Sequence, residues 1–207
     1  MYSFFVKNQI KNGTYLLVDL EMTGLNPFRN GVIEVGALVM DNRFDIIGEF
    51  FMDLCPPADI VIEPDALEYN GFTLDRIAAG RSYEEFCEAF QVFIDSYFSL
   101  DQNPIIVGQY VTADISFLQS IFYLAGYPQL FMRLGNDILD TKSIANEHNA
   151  IARYSGKPVT FESTSLSKPG GLTDRLKIRG YEAHTARGDV MATREVLMKF
   201  LRLDTLS

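Results

Sequence analysis

Asp19 and Glu21 stand two positions apart in VDLEMTGL, at the end of an apolar run. If that run is a strand, its period of two sends both carboxylates to one face. Two acids so placed repel unless a cation lies between them. Oxygen donors suit hard ions such as Mg²⁺ or Mn²⁺, whereas a zinc site draws on more His or Cys than a chain with two of each provides. The spacing alone also fits two solvated acids at a strand end. What argues for a site is the sequel, Thr23 and Gly24, a tight turn that lets backbone approach a ligand.

Two other stretches add groups of the same kind. Asp114 follows a short apolar run, Pro104 to Val107, and opens a helical pattern. An acid there either caps the helix and complements its dipole or adds a carboxylate to a site. In HTARGD, His184 precedes Asp189 by five residues, and Asp189 enters the last helical stretch. An imidazole exchanges protons near neutral pH, although His184 by itself also reads as an ordinary surface or core side chain.

VDLEMTGL, GQYVTADISFL and HTARGDVMATREVL, in this order and at these separations, resemble the three motifs of the DEDD superfamily of 3′→5′ exonucleases, in the subtype with a catalytic histidine. That group includes oligoribonuclease, ribonuclease T and the proofreading subunit of DNA polymerase III. The resemblance runs from about Thr14 to Leu201. The first motif looks nearest to oligoribonuclease, and the third matches H-x-A-x-x-D in full, with Ala186 in the middle. ALEYNGFT (Ala66 to Thr73) and LDTKSIA after Ile138 are similar to segments of the same relatives. The middle motif departs from the pattern: where relatives often carry His-Asn and an aromatic before the acid, this chain has Gln109, Tyr110 and Ala113.

The resemblance implies an α/β domain with a ribonuclease H-like mixed five-stranded sheet flanked by helices. It also implies a metal-dependent hydrolase that releases nucleoside 5′-monophosphates from the 3′ end of DNA or RNA. Two divalent cations, Mg²⁺ or Mn²⁺, would be bridged by Asp19, with Glu21 and Asp189 completing the site of the attacking water and Asp114 holding the second ion. His184 would then be the general base. Backbone at Met22 and Thr23 would meet the terminal 3′-hydroxyl, and Met22 or Leu25 would wedge beside the last base. For Met22 and Leu25, ordinary packing is the competing reading. Dimerisation is common among the small relatives, so a homodimer is one expectation for partners, beside single-stranded or 3′-terminal DNA or RNA.

Positioning these groups asks for particular elements. Thr14 to Leu20, Val32 to Asp41 and Phe44 to Met52 read as strands, rich in β-branched and large apolar residues, the last two joined by a hairpin at Asn42 and Arg43. Both faces of the first strand are apolar until the acids appear, as in a central strand covered on both sides. Ser82 with Glu85 makes a capping box, and Phe86, Phe90, Phe93 and Tyr97 recur at helical spacing behind it. A helix from near Asp114 carries Phe117, Leu118, Ile121 and Phe122 and stops at Gly126. A short strand at Ile138 to Thr141 precedes a helix near Lys142 to Arg153. Ser155 to Gly171 reads as a loop or insertion, and the last helix spans about Gly188 to Arg202.

The whole chain fits one domain of 207 residues with a core at about 14–201, 47% hydrophobic and 22% charged. Met1 to Phe5 lacks the pattern of a leader, and no run approaches a spanning helix, so cytoplasmic residence without membrane partners is the expectation. Cys55 and Cys87 have no CxxC partner and imply neither a disulfide framework nor a cysteine metal site. A formal charge of −9 argues against a protein that grips nucleic acid by a broad basic surface. It admits an enzyme whose acids hold cations, since bound ions dominate local electrostatics. Three rivals are a catalytically silent nucleic-acid-binding module, which should lack a carboxylate, a two-metal phosphohydrolase acting on small nucleotides, and a structural or interaction protein with the acids on a solvated rim, which makes no use of the three ordered motifs.

Overall fold

In a computed structural model that describes residues 12–204, the apolar runs become a mixed sheet. β1 (Tyr15–Met22), β2 (Val32–Met40) and β3 (Ile46–Asp53) form an antiparallel meander. Three helices follow, α1 (Pro64–Asn70), α2 (Leu74–Ala78) and α3 (Tyr83–Tyr97). β4 (Ile105–Gly108) then pairs parallel to β1, and after α4 (Thr112–Leu124), β5 (Ile138–Asp140) pairs parallel to β4. The strand order is β3-β2-β1-β4-β5, a five-stranded mixed sheet with β1 in the middle. α5 (Thr141–Tyr154), the short α6 (Leu172–Arg175) and α7 (Ala186–Asp204) complete the described chain. The Met1 to Phe5 stretch lies outside the described residues. No helix among them is long and apolar enough to cross a membrane.

The period of two in β1 divides the core. Leu16, Val18 and Leu20 join Phe86, Phe90, Phe117 and Phe122 from α3 and α4. Leu17 instead packs with Val107 and with Val190 and Leu197 of α7. Asp19 and Glu21 continue the row that begins with Leu17, so the same alternation that fills the core aims both acids toward the start of α7.

α7 reaches that position because its first turn can lie close to the sheet. Gly36 is the cross-strand partner of Asp19, and a Cβ there would stand 2.7 Å from the Ala186 carbonyl oxygen. Ala186 itself is fully buried. One carboxylate of the second strand, Glu34, joins this contact: its Oε2 accepts the Ala186 N–H at 2.9 Å.

Several boundaries differ from the sequence reading, each for a local reason. β1 runs on through Met22, with a register shift between Glu21 and Met22, so the acids lie within the strand instead of at its end. β3 starts at Ile46, two residues late. The Asp41 carboxylate accepts the N–H groups of Arg43 and Asp45, and Phe44 adopts φ 64°, which lengthens the turn. α4 begins at Thr112, two residues before Asp114. α1 and α2 were not expected as helices; they are seven and five residues long and lack the length that makes a helical period legible.

Ser155 to Gly171 is irregular, as expected, but it is not a mere insertion. Phe161 and Leu166 fill a second cluster with Ala145, Leu172, Val196 and Phe200. Asn149 fastens the segment to α5 by donating to the Phe161 carbonyl at 2.7 Å and accepting its N–H at 2.9 Å.

Gly36→Ala should force the first turn of α7 away from the sheet. The expected loss is about 1–3 kcal/mol, the usual cost of overpacking, read as a lower urea midpoint with an unchanged slope.

Candidate active site

The sheet and α7 bring three acids to one point. One carboxylate oxygen each from Asp19, Glu21 and Asp189 lie within 4.8 Å of one another. Glu21 and Asp189 are both 8% exposed. Asp189 enters from the first turn of α7, and its Oδ2 accepts the His184 N–H at 3.3 Å. Its Oδ1 is buried with no hydrogen-bond partner among the described residues. A buried carboxylate oxygen left so is costly unless an ion or water meets it.

Asp114 stands outside this threesome but beside it. β4 pairs with β1 only as far as Leu17, and beyond that point Asp114 Oδ1 accepts the Leu20 N–H at 3.1 Å. The carboxyl thus continues the ladder where the strand has ended. Asp140, at the end of β5, secures the turn that leads to Asp114: one oxygen accepts the Val111 N–H at 2.8 Å and the other the Ser143 N–H at 2.7 Å.

His184 takes φ 64°, a left-handed backbone, in the turn before α7. Its ring lies 4.3 Å, centroid to centroid, from that of Tyr69 on α1. Thr23 is completely buried; its hydroxyl donates to the Val61 carbonyl at 2.7 Å and accepts the Gly31 N–H at 2.9 Å. Its own N–H and carbonyl pair with Gly31 and Glu63, so Thr23 braces the loop. The Met22 carbonyl accepts from Asn70 Nδ2 at 3.2 Å, and the Met22 side chain packs against the main core. Leu25, by contrast, is 94% exposed at the loop tip.

Some residues that shape the site went unread in the sequence. Glu34 faces Glu21 across the strands and is tied on both oxygens, to the Ala186 N–H and to Arg76 Nη2 at 3.2 Å. Arg76, from α2, also grips Asp53 with two contacts of 2.7 Å. The signal was present: Glu34 is the one charged residue in VIEVGALVM, a strand buried at every position. Arg76 carried none, because what it meets depends on how α2 folds over the sheet.

Crowding has an electrostatic consequence. Burial, followed by the charges of Asp114, Asp189, Glu21 and Glu34, holds the Asp19 carboxyl well above the usual range. Burial and then the charges of Asp189, Glu34 and Asp114 push Glu21 to about 8, with Arg76 opposing. Asp114 rises to about 8, chiefly through burial, against the lowering effect of its backbone hydrogen bonds. Asp189 rises to about 6 by burial, against the His184 N–H. Without a cation, such a cluster keeps protons near neutral pH. An all-oxygen donor set with excess negative charge is the chemistry that a hard divalent cation matches.

Residues 16–197 match the model of the RNase T family, described as exonuclease. The chain is 24% identical over 197 residues to the PolC-type DNA polymerase III of Streptococcus sanguinis, covering 95% of this chain and 12% of the polymerase. It is 28% identical over 138 residues to the PolC-type enzyme of Pediococcus pentosaceus, covering 66% and 8%. Among solved structures it is similar to E. coli exonuclease I in complex with a dA16 oligonucleotide, with TM-score 0.68, 22% identity and coverage of 92% and 41%. The zinc-bound form of the exonuclease I–single-stranded DNA complex gives TM-score 0.69, 21% identity and coverage of 93% and 41%. The chain thus spans about an eighth of the length of the polymerases and about two fifths of the exonuclease chains. The structural likeness shows the shared ribonuclease H-like fold.

Raised carboxyl pKa values reverse the usual acid sensitivity. The folded protein binds these protons more tightly than the unfolded chain, whose acids titrate near about 4. Their contribution is therefore intact below that pH and is lost as pH rises through about 6 and 8. In EDTA the melting temperature should fall from pH 5 to pH 8, and saturating Mn²⁺ should raise it more at pH 8 than at pH 5. Asp19→Asn should melt higher than wild type in EDTA at pH 8 and lose most of the Mn²⁺ response; a thermal scan of both proteins reads each effect.

Proposed function

This chain belongs to the RNase T family of DEDD exonucleases, and we propose on that basis that it removes nucleotides one at a time from the 3′ end of a single strand by hydrolysis, releasing nucleoside 5′-monophosphates. The observation that carries the reading is the meeting of Asp19, Glu21 and Asp189 within 4.8 Å, with a buried Asp189 oxygen that has no partner in the described chain. Oxygen donors, net negative charge and an unsatisfied lone pair together fit Mg²⁺ or Mn²⁺.

Asp19, Glu21 and Asp189 would hold one cation, and Asp114, beside Asp19, would contribute to a second. Bound there, the ions would supply hydroxide at neutral pH and offset charge on the phosphate. The protein's own part is placement and proton transfer. Asp189 fixes the turn of His184 through the backbone N–H, and Tyr69 packs against the imidazole. His184 then takes the proton of the attacking water, which suits a histidine in the turn before α7. Leu25, exposed at the loop tip, is the better placed of the two apolar candidates to lie against the terminal base. Met22 is half-buried and packs against the main core, and Thr23 supports the loop from beneath. The relatives are DNA polymerases and an exonuclease solved with DNA oligonucleotides, which makes single-stranded DNA the first substrate to offer, with matched RNA beside it.

With Mn²⁺, a 5′-labelled oligonucleotide should give a ladder that shortens from the 3′ end, and EDTA should stop it. Mononucleotide-ester cleavage with intact oligonucleotides would instead make the protein a small-molecule phosphohydrolase, and binding without cutting would make it a silent binding module. His184→Ala should lower turnover by about 10²–10⁴, the range for loss of a general base, while the Mn²⁺-induced rise in melting temperature persists. An unchanged rate removes His184 from the reaction.

A further inference from the structure

The turn from β4 to α4 holds an arrangement that the four carboxylates do not use. Tyr110, at the carboxyl end of β4, takes φ 61°. Glycine or asparagine adopts that backbone readily, whereas a bulky residue does so at a cost. Nothing in the turn's hydrogen bonding calls for a phenol: Gln109 donates to the Thr164 carbonyl, Val111 to Asp140, and Ala113 to the Tyr110 backbone carbonyl. Nor is the ring needed for the core, being 57% exposed. The Lys142 ammonium lies 4.0 Å from its centroid, and none of the ion pairs among the described residues involves Lys142.

Tyr110 and Lys142 line one groove of about 500 Å³, together with Thr112, Ile138, Ser143 and Asn146. Pockets that enclose small ligands commonly span about 300–1,000 Å³. β4 runs parallel to β1, so Tyr110 and the acids of β1 lie toward the carboxyl ends of these neighbouring strands. Of the two acids lining the groove, Asp140 turns both oxygens onto backbone N–H groups, which leaves Glu147 as the one not so engaged. The groove therefore suits one phosphate at Lys142 and not a run of them.

We propose that Tyr110 and Lys142 form a subsite for a nucleotide of the bound single strand, the phenol stacking on a base and the ammonium meeting its phosphate. An aromatic face accepts any base, and a lysine ammonium meets phosphate as a point charge. The proposal rests on the exonuclease reading and extends it upstream of the terminal nucleotide.

The test compares wild type with Tyr110→Gly, Tyr110→Phe and Lys142→Ala. It measures melting temperature, cleavage with Mn²⁺, and anisotropy of a fluorescein-labelled 12-nucleotide DNA or RNA with Ca²⁺ in place of Mn²⁺. Tyr110→Gly relieves the backbone, so its melting temperature should equal or exceed that of wild type while strand affinity falls about tenfold. Tyr110→Phe should bind as wild type does. Lys142→Ala should reduce the slope of log affinity against log salt by about 0.7, one phosphate contact on a single strand. The DNA and RNA arms report which sugar the subsite prefers. If wild type cuts and binds but both Tyr110→Gly and Lys142→Ala match it, the subsite is refuted and the exonuclease reading stands. If wild type binds without cutting and Tyr110→Gly weakens binding, the exonuclease reading fails and the subsite survives; a wild type that does neither overturns both.

Discussion

The burial of like-charged carboxylates, and after it their mutual repulsion, governs the region around β1 and α7. Asp19, Glu21 and Asp189 crowd within 4.8 Å, with Asp114 alongside and Glu34 across the strand pair. In water such groups would separate. They stay together because each is mounted on an element that cannot move without disturbing the core: Asp19 and Glu21 on the middle strand, Asp189 on a helix whose Val190 and Leu197 are wholly buried, Asp114 on a helix anchored by Phe117 and Phe122. The hydrophobic burial of those neighbours offsets the electrostatic cost.

A second device limits the damage from the fifth acid. Glu34 would add repulsion, yet both its oxygens are engaged, one by the first N–H of α7 and one by Arg76. Arg76 is held in turn by Asp53 and lies over the Phe72 ring, 3.7 Å from its centroid. A charge that would have opposed the cluster thus ties β2, β3 and α2 to the helix that carries Asp189. Gly36 and Ala186 supply the close contact that makes this tie short enough.

Much of this was readable in the residues. The alternation of β1 predicted a central strand with two acids on one face, and the sheet order places it so. The capping box at Ser82 and Glu85 is present with both of its hydrogen bonds. The three motifs marked Asp19, Glu21, Asp114, His184 and Asp189 because their spacing is a pattern within a few residues. Residues whose role depends on distant partners were not legible: Arg76 meets Glu34 and Asp53 only after the sheet has formed, and Tyr69 meets His184 from a helix seven residues long. Thr23 has a bracing role that is hidden for a related reason: its hydroxyl turns inward to Val61 and Gly31, which lie far off in sequence or beyond a turn. Phe161 and Leu166 were hidden in polar surroundings, so the periodicity that betrays a core helix was missing.

The Asn149 clamp on Phe161 divides the irregular segment into two parts with different histories open to them. Residues from Ser155 to Thr160 are exposed or nearly so and lie before the anchor, where lengthening a surface loop costs little conformational entropy. From Phe161 onward the chain is pinned, first by Asn149 and then by Gln109 at the Thr164 carbonyl. Descendants of this sequence are free to gain or shed residues on the near side of that anchor, and with them to grow new surface over one flank of the molecule. On the far side, a change in length would be felt at the turn that begins α4.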